Sequence, residues 1–475
     1  MEETMPRYIN QESIRGWDQN KIGSARVWIK FSQQSQIAKN FLVGSMAMGL
    51  GQNSNGSLEL SEELNSYEWE IINEYKGKIE INSQPINEYD LFVELTNDPF
   101  SKYKLKSESY QYQYFISCSA NSKKLSMLIF SKNLTEKEKF EKDFENYLEL
   151  IDKEFCGKEQ NNIISLICAG IALDCANYLI QKKPNLENIL RYDFEFPEIK
   201  TKFENKKVLL LGAGGIGTFI AKALLDCGGV EKLVISDFDE VEDRNLNRQI
   251  FYASEGSFKS GKKAEILAEK LNKFANKKFA EPSISVFDPN SEKNNYDAIF
   301  CAVDTFIARV VANEYALSRK IPLITTGCNP ESAVSLMWVC GKTPCLREAS
   351  SYYKTMVQNC AGDDKNKTAI EFYKQNYGQR PNSCANSPDP QIVTTNMLAG
   401  SLAVIQFGLL DDFKGKLPYR YNYQILENGK LNLDECLCWK NEDEASPCKC
   451  YEGENWLNKQ IKEIEVLLSP KNSEN

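Results

Sequence analysis

Val208-Leu-Leu-Leu-Gly212-Ala-Gly214-Gly215-Ile-Gly217 decides the reading of this chain. Apolar residues in an unbroken run suit a strand buried on both faces, as in a parallel sheet. The glycines at 212, 214, 215 and 217 suit a tight turn, and Thr218 to Cys227 continues as a helix. Such a strand–turn–helix offers an anion the free N–H groups and positive dipole end of the helix, and the glycines let the backbone come close to phosphate. Lys232-Leu-Val-Ile-Ser-Asp237 follows as a second strand ending in an acid, at the spacing at which an acid reads ribose hydroxyls. On these residues alone, an NAD-binding unit and an ATP-binding unit are both open.

The next segment separates them. Asp237-Phe-Asp239 leads into Asn245-Leu-Asn-Arg248-Gln249. An NAD enzyme has no need of an Arg-Gln pair there, whereas an enzyme that bends a triphosphate does. Arg248 can form forked hydrogen bonds to phosphate oxygens. Ser260-Gly-Lys262-Lys263 opens a further helix, and Lys263 or its neighbour Lys262 adds positive charge. Tyr296-Asp-Ala-Ile-Phe-Cys301-Ala-Val-Asp304 is a buried strand ending in an acid. Asp304 suits Mg²⁺, which takes carboxylate together with phosphate oxygens.

Composition narrows the chemistry. The chain has 475 residues, 42% of them hydrophobic, enough for two or three domains with sizeable cores. A formal net charge of -9 argues against a broad basic surface, and so against nucleic acid as a partner. Met1 to Asn20 is polar, and the apolar stretch Phe41 to Leu50 is too short to span a bilayer. A cytoplasmic protein without a membrane partner is expected. There are 15 cysteines and no histidine. An odd, scattered set of cysteines points to reduced thiols, with metal or catalysis as the special uses. The missing histidine excludes Ser-His-Asp and Cys-His pairs and every His-ligated metal. Attack by a carboxylate at phosphorus meets that limit, because a carboxylate is deprotonated at neutral pH and positioning with charge stabilisation does the rest.

Residues 1–190 read as a first α/β unit. Ala25-Arg-Val-Trp-Ile-Lys30-Phe is a short strand and Ile37 to Ala47 a helix, but the turn between them, Ser32-Gln-Gln-Ser, holds no glycine. Side chains there keep phosphate off the backbone, so this unit is expected to be structural. Strand-like runs follow at Glu68-Trp-Glu-Ile-Ile, Tyr89-Asp-Leu-Phe-Val-Glu-Leu, Tyr114-Phe-Ile-Ser and Leu125-Ser-Met-Leu-Ile-Phe. Lys132 to Lys153 has a helical period, Ile163 to Ile180 is an apolar helix, and Gln181 to Lys202 reads as a linker. A second unit spans 203–430, with a helix from Thr305 to Arg319, a strand from Pro322 to Gly327 and a small-residue helix from Ile392 to Leu410. The halves echo each other: Tyr89-Asp-Leu-Phe-Val-Glu-Leu parallels the strand from Tyr296, and Ile163 to Ile180 parallels Val393 to Leu410. A duplicated domain whose first copy has lost its chemistry is the expectation.

Taken together, Gly212-Ala-Gly-Gly-Ile-Gly217, Asp237-Phe-Asp239, Asn245-Leu-Asn-Arg248-Gln249, Gly261-Lys-Lys-Ala and Val303-Asp304 followed by Arg309 resemble the ThiF/MoeB and ubiquitin-activating enzyme superfamily, over about 203–410. Members adenylate the C-terminal glycine of a ubiquitin-like or sulfur-carrier protein and release pyrophosphate. The resemblance implies two Rossmann-like α/β domains of ThiF type forming a pseudo-dimer, the first degenerate. It implies ATP held by Gly212, Gly214, Gly215, Gly217, Asp237, Asp239, Asn245, Arg248, Gln249 and Lys263, with Asp237 on the ribose, the last four on phosphates and Asp304 on the metal. The family spaces its glycine and lysine one residue wider, which favours Lys263 over Lys262. Arg7-Tyr-Ile-Asn10-Gln11 and Gly16-Trp-Asp-Gln resemble the family's opening segment, whose second arginine reaches into the partner's ATP site. Here that position is Asn10, which leaves Arg7 or another residue to supply the charge. The layout is that of eukaryotic ubiquitin-activating enzymes in a much shorter chain, closer to a bacterial enzyme of ubiquitin-like conjugation, with a conjugating enzyme as a further partner.

By the same resemblance Cys384, in residues 340–390, stands where several relatives carry a cysteine that takes the carrier as thioester or persulfide. Cys345 and Cys360 share that region as alternative nucleophiles, and a reaction that stops at the adenylate needs none. Cys436-Leu-Cys438 and Cys448-Lys-Cys450 form two Cys-x-Cys pairs nine residues apart, whose four thiolates suit one tetrahedral Zn²⁺. Oxidised pairs and surface thiols are the alternatives. The family's usual zinc pattern of two Cys-x-x-Cys pairs is broken at Cys345-Leu-Arg-Glu348. Residues 431–475 are thus read as a Cys-rich zinc segment with a helix from Trp456 to Leu468. Cys118, Cys156, Cys168, Cys175, Cys227, Cys301, Cys328 and Cys340 read mostly as small core residues. The expectation is an ATP-dependent adenylating enzyme with Arg248, Asp304 and Cys384 as catalytic groups. Its rivals are adenylation of a short peptide in antibiotic maturation, sulfur-carrier activation, an NAD-binding dehydrogenase, and a binding scaffold.

Overall fold

The computed structural model describes residues 6–63, 66–81, 89–99, 102–103, 112–131, 137–184, 190–289, 292–340, 342–343, 345, 390–411, 420–425 and 431–436. Within them a first sheet is built from β1 (Arg26–Lys30), β2 (Ser57–Leu60), β3 (Glu80–Ile81), β4 (Tyr89–Glu94), β5 (Tyr112–Ala120), β6 (Lys124–Ser131) and β7 (Leu190–Glu195). A second contains β8 (Phe203–Leu211), β9 (Val230–Ser236), β12 (Ala280–Ser283), β13 (Ala298–Cys301), β14 (Leu323–Asn329), β15 (Ser332–Trp338), β16 (Arg420–Ile425) and β17 (Leu431–Cys436). β10 (Ala253–Ser254) and β11 (Ser257–Phe258) form a separate small hairpin.

The strand orders are β3-β2-β1-β4-β5-β6-β7 and β12-β9-β8-β13-β14-β15-β16-β17. Taken strand by strand, the two sheets share one order, and β17 is an addition at the edge of the second. In each, the first five strands run parallel and the rest antiparallel.

Ten α-helices are described: α1 (Ile9–Glu12), α2 (Gln19–Ser24), α3 (Gln36–Met48), α4 (Tyr67–Glu74), α5 (Lys137–Leu150), α6 (Asn162–Lys182), α7 (Gly215–Asp226), α8 (Lys263–Ala275), α9 (Phe306–Arg319) and α10 (Val393–Gly408). α3 starts at Ser35, whose hydroxyl accepts the Ala38 amide, and stops at Gly49 with φ of 78°. α6 and α10 have no polar face because both are buried on nearly every side. α6 packs on β5 and β6, α10 on β14 and β15, and the two meet each other together with α3 and α7. One apolar cluster therefore runs through both halves, from Val27 and Phe41 to Leu402 and Tyr423. Smaller clusters lie on the outer faces, under α5 in the first half and under α9 in the second.

Several segments differ from their expectation. Glu68-Trp-Glu-Ile-Ile is the body of α4, not a strand. Glu68 and Glu70 sit in its first turn, where acids suit the helix dipole, and Ile71 and Ile72 face the core. Glu68 is also held by the buried Lys222 of α7 at 3.0 Å. Gln181 to Lys202 is not all linker, since β7 pairs with β6 through Lys124↔Glu195 to Ile129↔Leu190. The regular alternation of β7 between half-buried and exposed residues carried too weak a pattern to reveal a sheet edge. α6, unlike the stretch Phe41 to Leu50, is long and apolar enough to cross a membrane by length and composition. Of its most apolar 18-residue stretch, 89% is buried within this fold. Cys156 is exposed, not in the core.

Candidate functional site

A cavity of about 540 Å³ opens at the carboxyl ends of β8, β9, β13 and β14. Parallel sheets bind ligands at this edge, beside the point where the strand order reverses. Here the reversal lies between β8 and β13.

The glycine turn forms its floor. Gly212 has φ of 94°, and a Cβ there would lie 2.7 Å from the Ala302 carbonyl oxygen. A Cβ on Gly215 would meet Asn396 Oδ1 of α10 at 2.2 Å, and one on Gly217 would meet the Gly212 carbonyl oxygen at 2.0 Å. Gly212 and Gly217 are required by the backbone packed against them, and Gly215 by the side chain of Asn396 in its present position. Gly214 is different. Nothing lies within 4 Å of its Cβ position, and the residue lines the cavity. It is also the N-cap of α7 and brings no side chain to the free amides of the first turn. The chain thus leaves open both the space and the N–H donors that a phosphate would use.

Asp237 directly follows β9 and fastens the turn: its carboxylate accepts the Ala213 amide at 2.7 Å and the Asp239 amide at 2.8 Å. Burial pushes its carboxyl above the usual carboxylate range, against the opposing charge of Lys263. Asp239 in turn holds Lys263 Nζ at 3.0 Å. Lys263 lines the cavity, whereas Lys262 is turned to the Phe238 carbonyl and Glu240. Asn245, Arg248 and Gln249 all line the cavity and are buried. Asn245 accepts the Glu242 amide at 2.9 Å, and Arg248 donates to the Arg244 carbonyl at 2.9 Å and to Asn247 Oδ1 at 2.7 Å. Among the described residues, Gln249 Oε1 has no hydrogen-bond partner. Asp304 is exposed at the rim, just past β13. Phe287, Val303 and Ala308 supply apolar wall on the β13 and α9 side.

The first half contributes as well. Asn10 lines the cavity, and its carbonyl accepts the Gln391 amide at 3.3 Å. Arg7 does not line it. Its guanidinium stacks 4.8 Å from the centre of the Tyr75 ring. The charge expected from an arginine at position 10 is therefore not replaced by Arg7.

The cysteines divide. Cys384, Cys360, Cys438, Cys448 and Cys450 lie outside the described residues, as does the side chain of Cys436, whose backbone ends β17 opposite Arg420. Cys345 is fully buried in the apolar cluster beneath α9. Among the described residues, no group of three or more acids and cysteines is placed to hold a metal ion.

Cys328 was expected in the core, yet it lines the cavity. Burial pushes its thiol up to about 11, partly offset by Thr395 and by the nearby charges of Arg248 and Arg309. It is a neutral thiol at physiological pH. Its position two residues past Thr326, at the carboxyl end of a parallel strand, was the available signal. Asn396, which packs against Gly215, gave none, because the two are far apart in sequence.

The ThiF family model matches residues 186–447, more than half of the chain. This chain belongs to the ThiF family. It is 28% identical over 155 residues to the sulfur carrier protein ThiS adenylyltransferase of Bacillus subtilis, covering 32% of this chain and 45% of that protein. It is 29% identical over 151 residues to the ubiquitin-activating enzyme E1-like protein of Saccharomyces cerevisiae, covering 30% of this chain and 23% of that one. The matches span less than half the length of these curated relatives. Among solved structures, Escherichia coli MccB with MccA-N7isoASN is similar at a TM-score of 0.38 and 17% identity, over 74% of this chain and 80% of that one. The ThiF match includes the whole glycine turn and every second-half residue of the cavity described above.

Proposed function

We propose that this chain is an ATP-dependent adenylyltransferase that activates the C-terminal glycine of a ubiquitin-like or sulfur-carrier protein. The observation that carries the reading is the open Gly214 cradle at an uncapped helix N-terminus, ringed by Arg248, Lys263 and Gln249 in a ThiF-family chain. The acceptor's carboxylate oxygen attacks the α-phosphorus of ATP. A new C–O–P linkage forms, the bond from the α-phosphorus to the bridging oxygen breaks, and pyrophosphate leaves with that electron pair. Gly214 and the first amides of α7 bind phosphate oxygens, Asp237 keeps the turn in shape, and Arg248 and Lys263 balance the charge that builds on the phosphates. Asp304 would hold Mg²⁺, which would neutralise phosphate charge when bound.

A second step is part of the proposal. The Cys384 thiolate attacks the acyl carbon, a thioester forms, and AMP leaves. The burial of Cys345 is in keeping with that choice. A conjugating enzyme that receives the thioester, a zinc site on Cys436, Cys438, Cys448 and Cys450, and a cytoplasmic location belong to the same reading. The shared strand order of the two sheets supports a pseudo-dimer of a degenerate first and an active second domain. Relatives named for sulfur-carrier activation support the carrier half of the proposal.

Intact-mass spectrometry after incubation with Mg-ATP and a small protein ending in glycine tests both steps. A thiol-labile adduct lost in Cys384→Ala is the expected result. An adduct surviving that change moves the nucleophile elsewhere, and pyrophosphate release without an adduct favours a peptide or a carrier that leaves as the adenylate. Absence of ATP turnover with any acceptor refutes the reading.

A further inference from the structure

The two halves carry one cation in equivalent places, and only the first half neutralises it. Glu94 on β4 stands opposite Ser117 on β5, as Cys301 on β13 stands opposite Thr325 on β14. Lys102 follows Glu94 by eight residues, and Arg309 follows Cys301 by eight. Lys102 Nζ donates to Ser117 Oγ at 2.9 Å and to the Cys118 carbonyl at 3.1 Å. Arg309 Nη1 donates to Thr325 Oγ1 at 3.2 Å and to the Thr326 carbonyl. Hydroxyl and next carbonyl are thus the same two anchors in both halves.

The third partner differs. Lys102 is paired with the Glu94 carboxylate, and their side chains are 1% and 0% exposed. Glu94 also accepts the Thr96 amide and the Ser117 hydroxyl at 2.8 Å each. The first half has closed this place with its own counter-charge. In the second half Cys301 replaces the glutamate, and its thiol is kept neutral by burial. Among the described residues, Arg309 has only neutral hydrogen-bond acceptors. It is half-buried and lines the same cavity as Gly214, Lys263 and Arg248. A partly desolvated cation without an anion is costly, and the cost disappears when a ligand supplies the anion.

We infer that Arg309 is a further nucleotide-binding residue, whose counter-charge is a phosphate of the bound nucleotide taking the place that Glu94 occupies beside Lys102. The inference rests on the ATP reading above. Its proximity to Cys328, which also feels Arg248, sets both guanidinium groups at one wall of the cavity.

Titration calorimetry with Mg-ATP and with adenosine separates charge from scaffolding. Arg309→Gln keeps donors for Thr325 and Thr326 but removes the charge. Arg309→Lys keeps the charge, in the form already used at Lys102. Arg309→Gln is expected to weaken Mg-ATP by about tenfold or more, the scale of a charge-assisted hydrogen bond. Arg309→Lys, which keeps a point charge without the forked geometry, is expected to lose less than Arg309→Gln, and adenosine to bind all three alike. Unchanged Mg-ATP binding in Arg309→Gln overturns the inference. So does an equal loss in Arg309→Lys, or a loss of adenosine binding as large as that of ATP. A wild-type protein that binds neither ligand instead overturns the nucleotide reading itself.

Discussion

Replacing Gly214 and Gly217 by alanine, one at a time, separates the glycine the ligand needs from one the fold needs. At Gly214 the backbone φ of -79° suits alanine, and the new methyl meets no protein atom within 4 Å. Folding stability is expected to hold or rise slightly, since Gly→Ala at a compatible site gains about 0.4–1 kcal/mol through the unfolded state. The methyl stands in the cavity, however, where phosphate would approach the α7 amides. Loss of even one charge-assisted hydrogen bond costs about 1.5–3 kcal/mol, or about 10–100-fold in Kd. At Gly217 the methyl lies 2.0 Å from a backbone oxygen of Gly212, which cannot move without opening the turn. A cost of about 3 kcal/mol or more, and a fall of roughly 5–10 °C in Tm, is expected there. The assay is a thermal melt with and without Mg-ATP, combined with calorimetric Kd. Gly214→Ala should melt like wild type and lose the shift given by ATP, while Gly217→Ala should melt early even without nucleotide. Binding of ATP by Gly214→Ala within about twofold of wild type would refute the cradle argument.

Two other groups sit between the halves. Lys222 is fully buried with Glu68 at 3.0 Å and Asp226 at 2.8 Å, so Lys222→Met strands two carboxylates and should cost about 3–5 kcal/mol in urea unfolding. A loss under about 1 kcal/mol would show that the cluster is already neutral. Asp174 of α6 accepts from Thr394 at 2.9 Å and from Tyr423 at 2.7 Å, and burial raises its carboxyl to about 6. A raised carboxyl pKa favours the protonated fold, so its contribution is complete below about pH 4 and is lost as pH rises through about 6. Asp174→Asn should therefore gain stability relative to wild type between pH 4 and pH 7, by about 3 kcal/mol at most. A pH-independent difference would refute this.

The legible part of the site was the part whose geometry is local in sequence. Gly212 to Gly217 and Asp237 to Gln249 lie on consecutive strand ends, so spacing alone brought them together in the cavity. Contacts between distant segments were not readable in that way. No periodicity joins Asn396 to Gly215, or Asn10 to Gln391, and the α4 helix is anchored by Lys222 more than 150 residues away. The strand order shared by the two sheets was hinted at by the echo between Tyr89 and Tyr296, but its physical content was not. Sequence alone sets Glu94 against Cys301 as one unlike pair among many. Only the shared register shows that each lies beside a cation with the same two anchors, and that one half keeps the counter-charge inside the chain. A glutamate that fills a binding place and a cysteine that empties it are both buried strand residues by pattern. They differ in which ion they leave unpaired, and that difference bears directly on which half can take up an anionic substrate.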